Sequence, residues 1–170
     1  GTRRGSGWRH GDLLRARRQF EPAVAQFRHA IALVPSFIFS HMLFATALIG
    51  MQRADEAVAP AEKANTLSNG TATTLWTLGY AYGRAGRSAE ARQVLEELRA
   101  RRQSTYVPAS ALALVHAGLG EWDKSLEWMS QAIDERDPII TTSLKTAPGF
   151  DSLRSDPAYR ALLRKMNLEP

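Results

Sequence analysis

Small side chains recur along this chain every 34 residues. Ala23, Ala57, Ala91 and Ser125 share one phase, and Ala30, Ala64, Leu98 and Ala132 share a second. Other positions keep the same register: His10, Phe44, Leu78 and Leu112; Gly11, Ala45, Gly79 and Ala113; Leu14, Leu48, Tyr82 and His116; Phe27, Ala61, Leu95 and Met129. Each unit closes on a helix stopper or a polar residue, at Pro35, Asn69, Gln103 and Asp137. A period of this length marks stacked helical hairpins, each of which buries its apolar face against its neighbours. Small residues are required where the two helices of a hairpin cross closely, and larger apolar residues fill the space between layers.

The pattern predicts helices A and B of the second unit over about 37–50 and 54–67, and of the third over about 72–85 and 88–102. The fourth unit follows over about 107–119 and 122–135. Gly86 and Gly120 fall in the turns, where a positive φ costs glycine little. Pro108 falls in the first turn of its helix, where its missing donor costs nothing. Helix A of the first unit contains Gly5, Gly7 and Gly11, each worth up to about 1 kcal/mol of lost helix stability relative to alanine. It is therefore the element expected to start late or fray. The repeat stops after Asp137. A last helix is predicted from Asp156 as N-cap and Pro157 at the first helical position to about Met166. Its apolar stripe, Tyr159, Leu162, Leu163 and Met166, should dock on the open end of the fourth unit's helix B.

The third unit reads Leu75, Leu78, Gly79, Tyr82, Gly86, Ala91 and Leu95, with a Leu-Gly-x-x-Tyr core. The fourth keeps Gly120, Trp122 and Ala132, and the first keeps Gly11, Phe20, Ala23, Phe27, Ala30 and Pro35. The second departs most, with Ala45 for glycine and Ala54 for an aromatic residue. Over residues 4–137 the chain resembles the tetratricopeptide repeat family. The resemblance implies an all-α fold, a right-handed superhelix (α-solenoid) of about four helical hairpins with a C-terminal capping segment. The units lie at about 4–37, 38–71, 72–105 and 106–137, with the cap at 138–170, in a single domain spanning 1–170.

A second resemblance lies in the tail. Tyr106, Gly118-Leu119-Gly120, Leu126-Glu127-Trp128 and the run Phe150-Asp151-x-Leu153-Arg154-Ser155-Asp156-Pro157 are similar to one bacterial group of such regions. Those regions form the C-terminal parts of multidomain signalling proteins, behind winged-helix transcription regulators, class III adenylate cyclases or serine/threonine kinases. Residues 70–168 carry this likeness, which implies a cytoplasmic regulatory module joined to an effector domain. The chain opens on Gly1 rather than methionine and reads as a fragment or a processed product.

Composition adds limits. A length of 170 residues suits one domain, and a hydrophobic content of 44% suffices for a core. With no cysteine, neither a disulfide framework nor a thiolate metal site is available. Residues 1–36 carry seven arginines against two carboxylates, and this +5 equals the net charge of the whole chain. Arg9, Arg15, Arg17 and Arg18 form a basic patch, which raises nucleic acid or an acidic partner as an alternative. A solvated capping unit explains it more simply, because no aromatic stacking array accompanies the arginines beyond Trp8. Arg99, Arg101 and Arg102 suit the negative end of their helix dipole. From His29 to Gln52 no residue is formally charged. Pro35, Ser36, Ser40 and His41 interrupt this stretch, and the 34-residue phase passes through it, so it reads as repeat interior and not as a membrane span.

Chemistry is scarce. His10, His29, His41 and His116 have no helical pairing at three or four residues, so no metal site is set up. His116 reads as a packing residue. Glu96-Glu97 and Asp134-Glu135 are adjacent on their helices and cannot face each other as an acid and base pair. No phosphate loop or nucleophile elbow is present, so neither an enzyme nor a cofactor is expected.

The family resemblance implies an inner groove lined by the A helices. In the second unit the lining falls on Phe39, Met42, Leu43, Thr46 and Ile49. In the third it falls on Thr73, Trp76, Thr77, Tyr80 and Arg84, and in the fourth on Val107, Ser110, Ala111 and Leu114. The first unit would add Trp8, Arg9, Asp12 and Arg15. The Lys/Asn clamp with which chaperone-binding members hold a C-terminal carboxylate is missing. The lining suits an apolar peptide or an amphipathic helix, including one from an effector domain of the same parent chain. Self-association through an uncapped first unit is a further alternative.

Overall fold

A computed structural model describes residues 10–137, 153 and 155–168 of the chain, with side chains from residue 20 onward. Among the described residues every regular element is helical. These are α1 (His10–Leu33), α2 (Ile38–Gly50), α3 (Ala54–Leu67), α4 (Ala72–Arg84), α5 (Ser88–Arg102), α6 (Ala109–Gly118), α7 (Trp122–Asp134) and α8 (Pro157–Lys165). The helices α2–α3, α4–α5 and α6–α7 form hairpins, and α4 also packs along α6. The result is the all-helical solenoid that the period predicts.

The turns are chemically alike. The N–H of Arg53 reaches the Leu48 carbonyl, that of Arg87 the Tyr82 carbonyl and that of Glu121 the His116 carbonyl, all at 2.8–2.9 Å. Each bond spans a left-handed residue: Gln52 (φ 60°), Gly86 (φ 77°) or Gly120 (φ 74°). This closure ends a helix and satisfies its last carbonyls. Gly86 and Gly120 fall where the sequence places them, while Gln52 shows that a buried hairpin can hold a side chain there too. Pro108 is one residue earlier than expected: it is the N-cap of α6, in extended conformation, within the ordinary uncertainty of a helix boundary.

The first unit differs. A hairpin is expected there, but His10–Leu33 is one continuous helix with Pro22 inside it. Arg18 holds the register position of Gly86 and Gly120, and its neighbours Arg17 and Gln19 are strong helix formers. The C-terminal half of α1 packs as a helix B, with Val24 buried against α2 and the Phe20 ring seated where a Cβ on Gly50 would fall. The N-terminal half does not return along α2.

Small residues set the spacing of the stack. Ala45, Ala57, Ala64, Ala91, Ala113, Ser125 and Ala132 are fully buried, as their phase requires. A Cβ on Gly79 would lie 2.8 Å from methyl groups of Val94 and Val115. One on Gly83 would lie 2.6 Å from the backbone of Gly118, so α4 and α6 touch main chain to main chain.

The C-terminal helix caps the stack as expected. Asp156 accepts the Ala158 N–H at 2.9 Å, and Pro157 takes the first helical position. Tyr159, Leu162 and Leu163 are buried in one cluster with Leu126 and Met129 of α7 and Leu114 of α6. Lys165 of α8 pairs with Asp134 of α7 at 2.6 Å.

Candidate interaction surface

The residues expected to line one groove are distributed unevenly between surface and interior. Phe39 and Leu43 of α2 are 59% and 48% exposed, and Thr46 one turn further is exposed with its hydroxyl on the Met42 carbonyl. These three form one stripe, at the spacing that keeps residues on one helix face. Met42 and Ile49 are buried. On α4, Thr73 is exposed, Trp76, Tyr80 and Arg84 are half-buried, and Thr77 is buried with its hydroxyl on the Thr73 carbonyl. On the fourth unit, Val107, Ser110, Ala111 and Leu114 are all interior. Leu114 joins the cluster that contains the capping helix, while Val107 and Ala111 are buried with residues of α4 and α5. Arg9, Trp8 and the side chains of Asp12, Arg15, Arg17 and Arg18 lie outside the described residues.

Among the described residues, three buried side-chain atoms have no hydrogen-bond partner: Trp76 Nε1, Arg84 Nε and Ser110 Oγ. All three belong to expected lining positions. Arg84 reaches Gln52 Oε1 at 3.3 Å with its terminal nitrogen, which ties the ends of α4 and α2 together. Burial raises the Tyr80 phenol above its ordinary value, against the pull of Arg84, so it is neutral at physiological pH.

Sequence reasoning did not foresee three of the exposed apolar residues. Leu33, Val34 and Phe37 at the α1–α2 turn are 69%, 52% and 53% exposed. Phe37 and Phe39 lie with ring centres 6.3 Å apart. With Leu43 they make an apolar end surface within the uncharged stretch that reads as repeat interior. The charge gap was the available signal. Its surface position depends on which helix lies beside α2.

Two arginines also do more than answer a dipole. Arg101 of α5 donates to the Gly70 carbonyl in the turn before α4 and pairs with Glu97. Arg102 donates to the Val107 carbonyl and to Glu135 of α7, with its guanidinium 5.7 Å from the Trp128 ring centre. They clamp successive units together. Tyr82 does the same by donating to Glu62 at 2.8 Å beneath the Arg87 guanidinium. Burial and then the Glu62 bond push its phenol up to about 12.

A tetratricopeptide repeat family model matches residues 71–110, which hold α4, α5 and the entry to α6. This segment is similar to a tetratricopeptide repeat. No curated protein matches the chain. The hairpin geometry recurs in α2–α3 and α6–α7 with the same turn closure, which is consistent with a helical-repeat solenoid on both sides of the matched segment. Such repeats generally serve as protein-interaction scaffolds. Among the described residues no helix is long and apolar enough to cross a membrane.

Proposed function

We propose that this chain is a non-catalytic scaffold that holds an apolar protein segment against the exposed stripe of α2 and the adjoining face of α4. The observation that carries this reading is the exposure of Leu33, Val34, Phe37, Phe39 and Leu43 at one end of a well-packed stack. Contiguous exposed apolar surface of this kind marks interaction sites. In the parent protein the scaffold would be the cytoplasmic regulatory region of a bacterial signalling or transcription-regulating protein, with an effector domain as its partner. The likeness of the tail to that group supports this context.

The pairing of the described arginines favours protein over nucleic acid. Arg53, Arg87, Arg99, Arg101 and Arg102 each pair with a carboxylate of this chain, which reduces the free positive charge a phosphate backbone would use.

The test uses a fluorescent amphipathic helical peptide. Wild-type protein should bind it, and Phe39→Glu with Leu43→Glu should bind it at least about tenfold more weakly, as expected for loss of two apolar anchors. Unchanged binding would overturn the assignment. Trp76 is a poorer probe, because it packs against two core clusters and its removal would loosen the fold.

A further inference from the structure

We propose that the apolar end surface is a self-association face, on which α2 of one copy packs against α2 of a second. The proposal rests on reading that surface as an interaction site and names its occupant.

The repeat register shows what this face is built to receive. Leu43 corresponds to Thr77 of α4 and Ala111 of α6, which are 1% and 0% exposed. Phe39 corresponds to Thr73 of α4, which is exposed, and to Val107 before α6, which is 2% exposed, so Leu43 marks the buried register position more consistently. Val107 and Ala111 lie in a cluster with Leu75 of α4, so this stripe takes the A helix of the preceding unit. On α2 it stays bare, because α1 runs straight where that helix would turn back. The missing neighbour is therefore another A-type helix.

Three observations favour a second copy meeting like with like. The far end of the solenoid is closed by α8, whose apolar side is buried and whose exposed side carries Arg160 and Arg164. Among the described residues α8 presents no exposed large apolar side chain to a head-to-tail neighbour, which favours a two-fold, self-complementary contact. The surface also carries no formal charge between His29 and Gln52, so a copy facing itself meets no like-charge repulsion in the contact. Among the flanking arginines, the side chains of Arg17 and Arg18 lie outside the described residues. The Arg28 guanidinium lies 5.7 Å from the Phe44 ring centre. Area is sufficient: five half-exposed large side chains offer about 100 Å² each, or roughly 1,000 Å² across two copies, which is the lower range of specific interfaces.

The experiment is sedimentation velocity on the full chain from about 1 to about 100 μM, a range that brackets a micromolar Kd. A concentration-dependent dimer is expected. Leu43→Glu should be monomeric throughout, and Phe39→Gln should dissociate at least about tenfold more readily. Both side chains are about half solvent-exposed, so circular dichroism should keep its wild-type helical signal. The chain has no cysteine, so Leu43→Cys should give a disulfide-linked dimer on mild oxidation, while Gln93→Cys on exposed α5 should not. A wild-type monomer at every concentration overturns the proposal, as does a dimer indifferent to Leu43→Glu. If a monomeric wild type still binds the amphipathic peptide in a Leu43-dependent way, the surface reading stands and only its occupant is wrong.

Discussion

His116 is neutral in the fold because both ring nitrogens are already committed. Arginine has no acceptor, so Arg99 must donate to Nε2, across 3.4 Å, and Nδ1–H donates to Glu121 at 2.8 Å. Burial holds its pKa below the ordinary 6.5, against the attraction of Glu121. The unfolded chain therefore binds more protons than the folded one between the lowered folded value and 6.5. The stability that His116 contributes is complete above that window and is lost as pH falls through it. The window is separate from that of Glu121 and Glu135, whose carboxyls sit below their ordinary value and weaken the fold only in more acid solution. A melting series should slope downward below about pH 6.5 in the wild type, and His116→Gln should flatten that slope. An equal slope in both would remove His116 from the account. Gly83 offers a second residue-scale check. Its missing Cβ lets α4 meet α6, so Gly83→Ala should cost about 1–3 kcal/mol by overpacking, read from the urea midpoint. A neutral Gly83→Ala would mean that the two helices can separate freely.

At the scale of the element, α1 departs furthest from its pattern. The register marks a turn at Arg18, and Pro22 would sit in the first turn of a helix beginning near Phe20, where a proline is tolerated. In a continuous helix the same proline removes a backbone bond to Arg18 and crowds its carbonyl, at about 3 kcal/mol. Pro22 is exposed, so its replacement costs no packing. Pro22→Ala should therefore stabilise the chain, by up to about 3 kcal/mol, and raise its helical signal. No gain would place a break between residues 18 and 22 in solution. The other helices were legible because each carries several signals that agree. For α8, Asp156, Pro157 and the stripe of Tyr159, Leu162 and Leu163 give the start, the direction and the buried face at once.

At the scale of the molecule, the units are held together by contacts that cross layers. Arg102 is the clearest, since it joins α5 to the α6 entry and to α7 while most of its side chain is shielded. Arg102→Ala should cost about 2 kcal/mol, the worth of hydrogen bonds to a charged group, and broaden the unfolding transition as the fourth unit uncouples. A sharp transition with an unshifted midpoint would count against the clamp.

The period determined the helices from α2 to α7, the small crossing residues and the glycine turns, because each is set by local spacing repeated along the chain, and the capping helix was set by its own N-cap and apolar stripe. The lining positions were legible as a register but not as a surface. Phe39, Thr77 and Ser110 all follow from the same rule, yet they end exposed, buried and fully enclosed. What decides between them is what lies on either side. The preceding unit covers the α6 lining, while the straight course of α1 leaves α2 bare. Neighbours distant in the chain set exposure, and a one-dimensional pattern does not record which of them is missing.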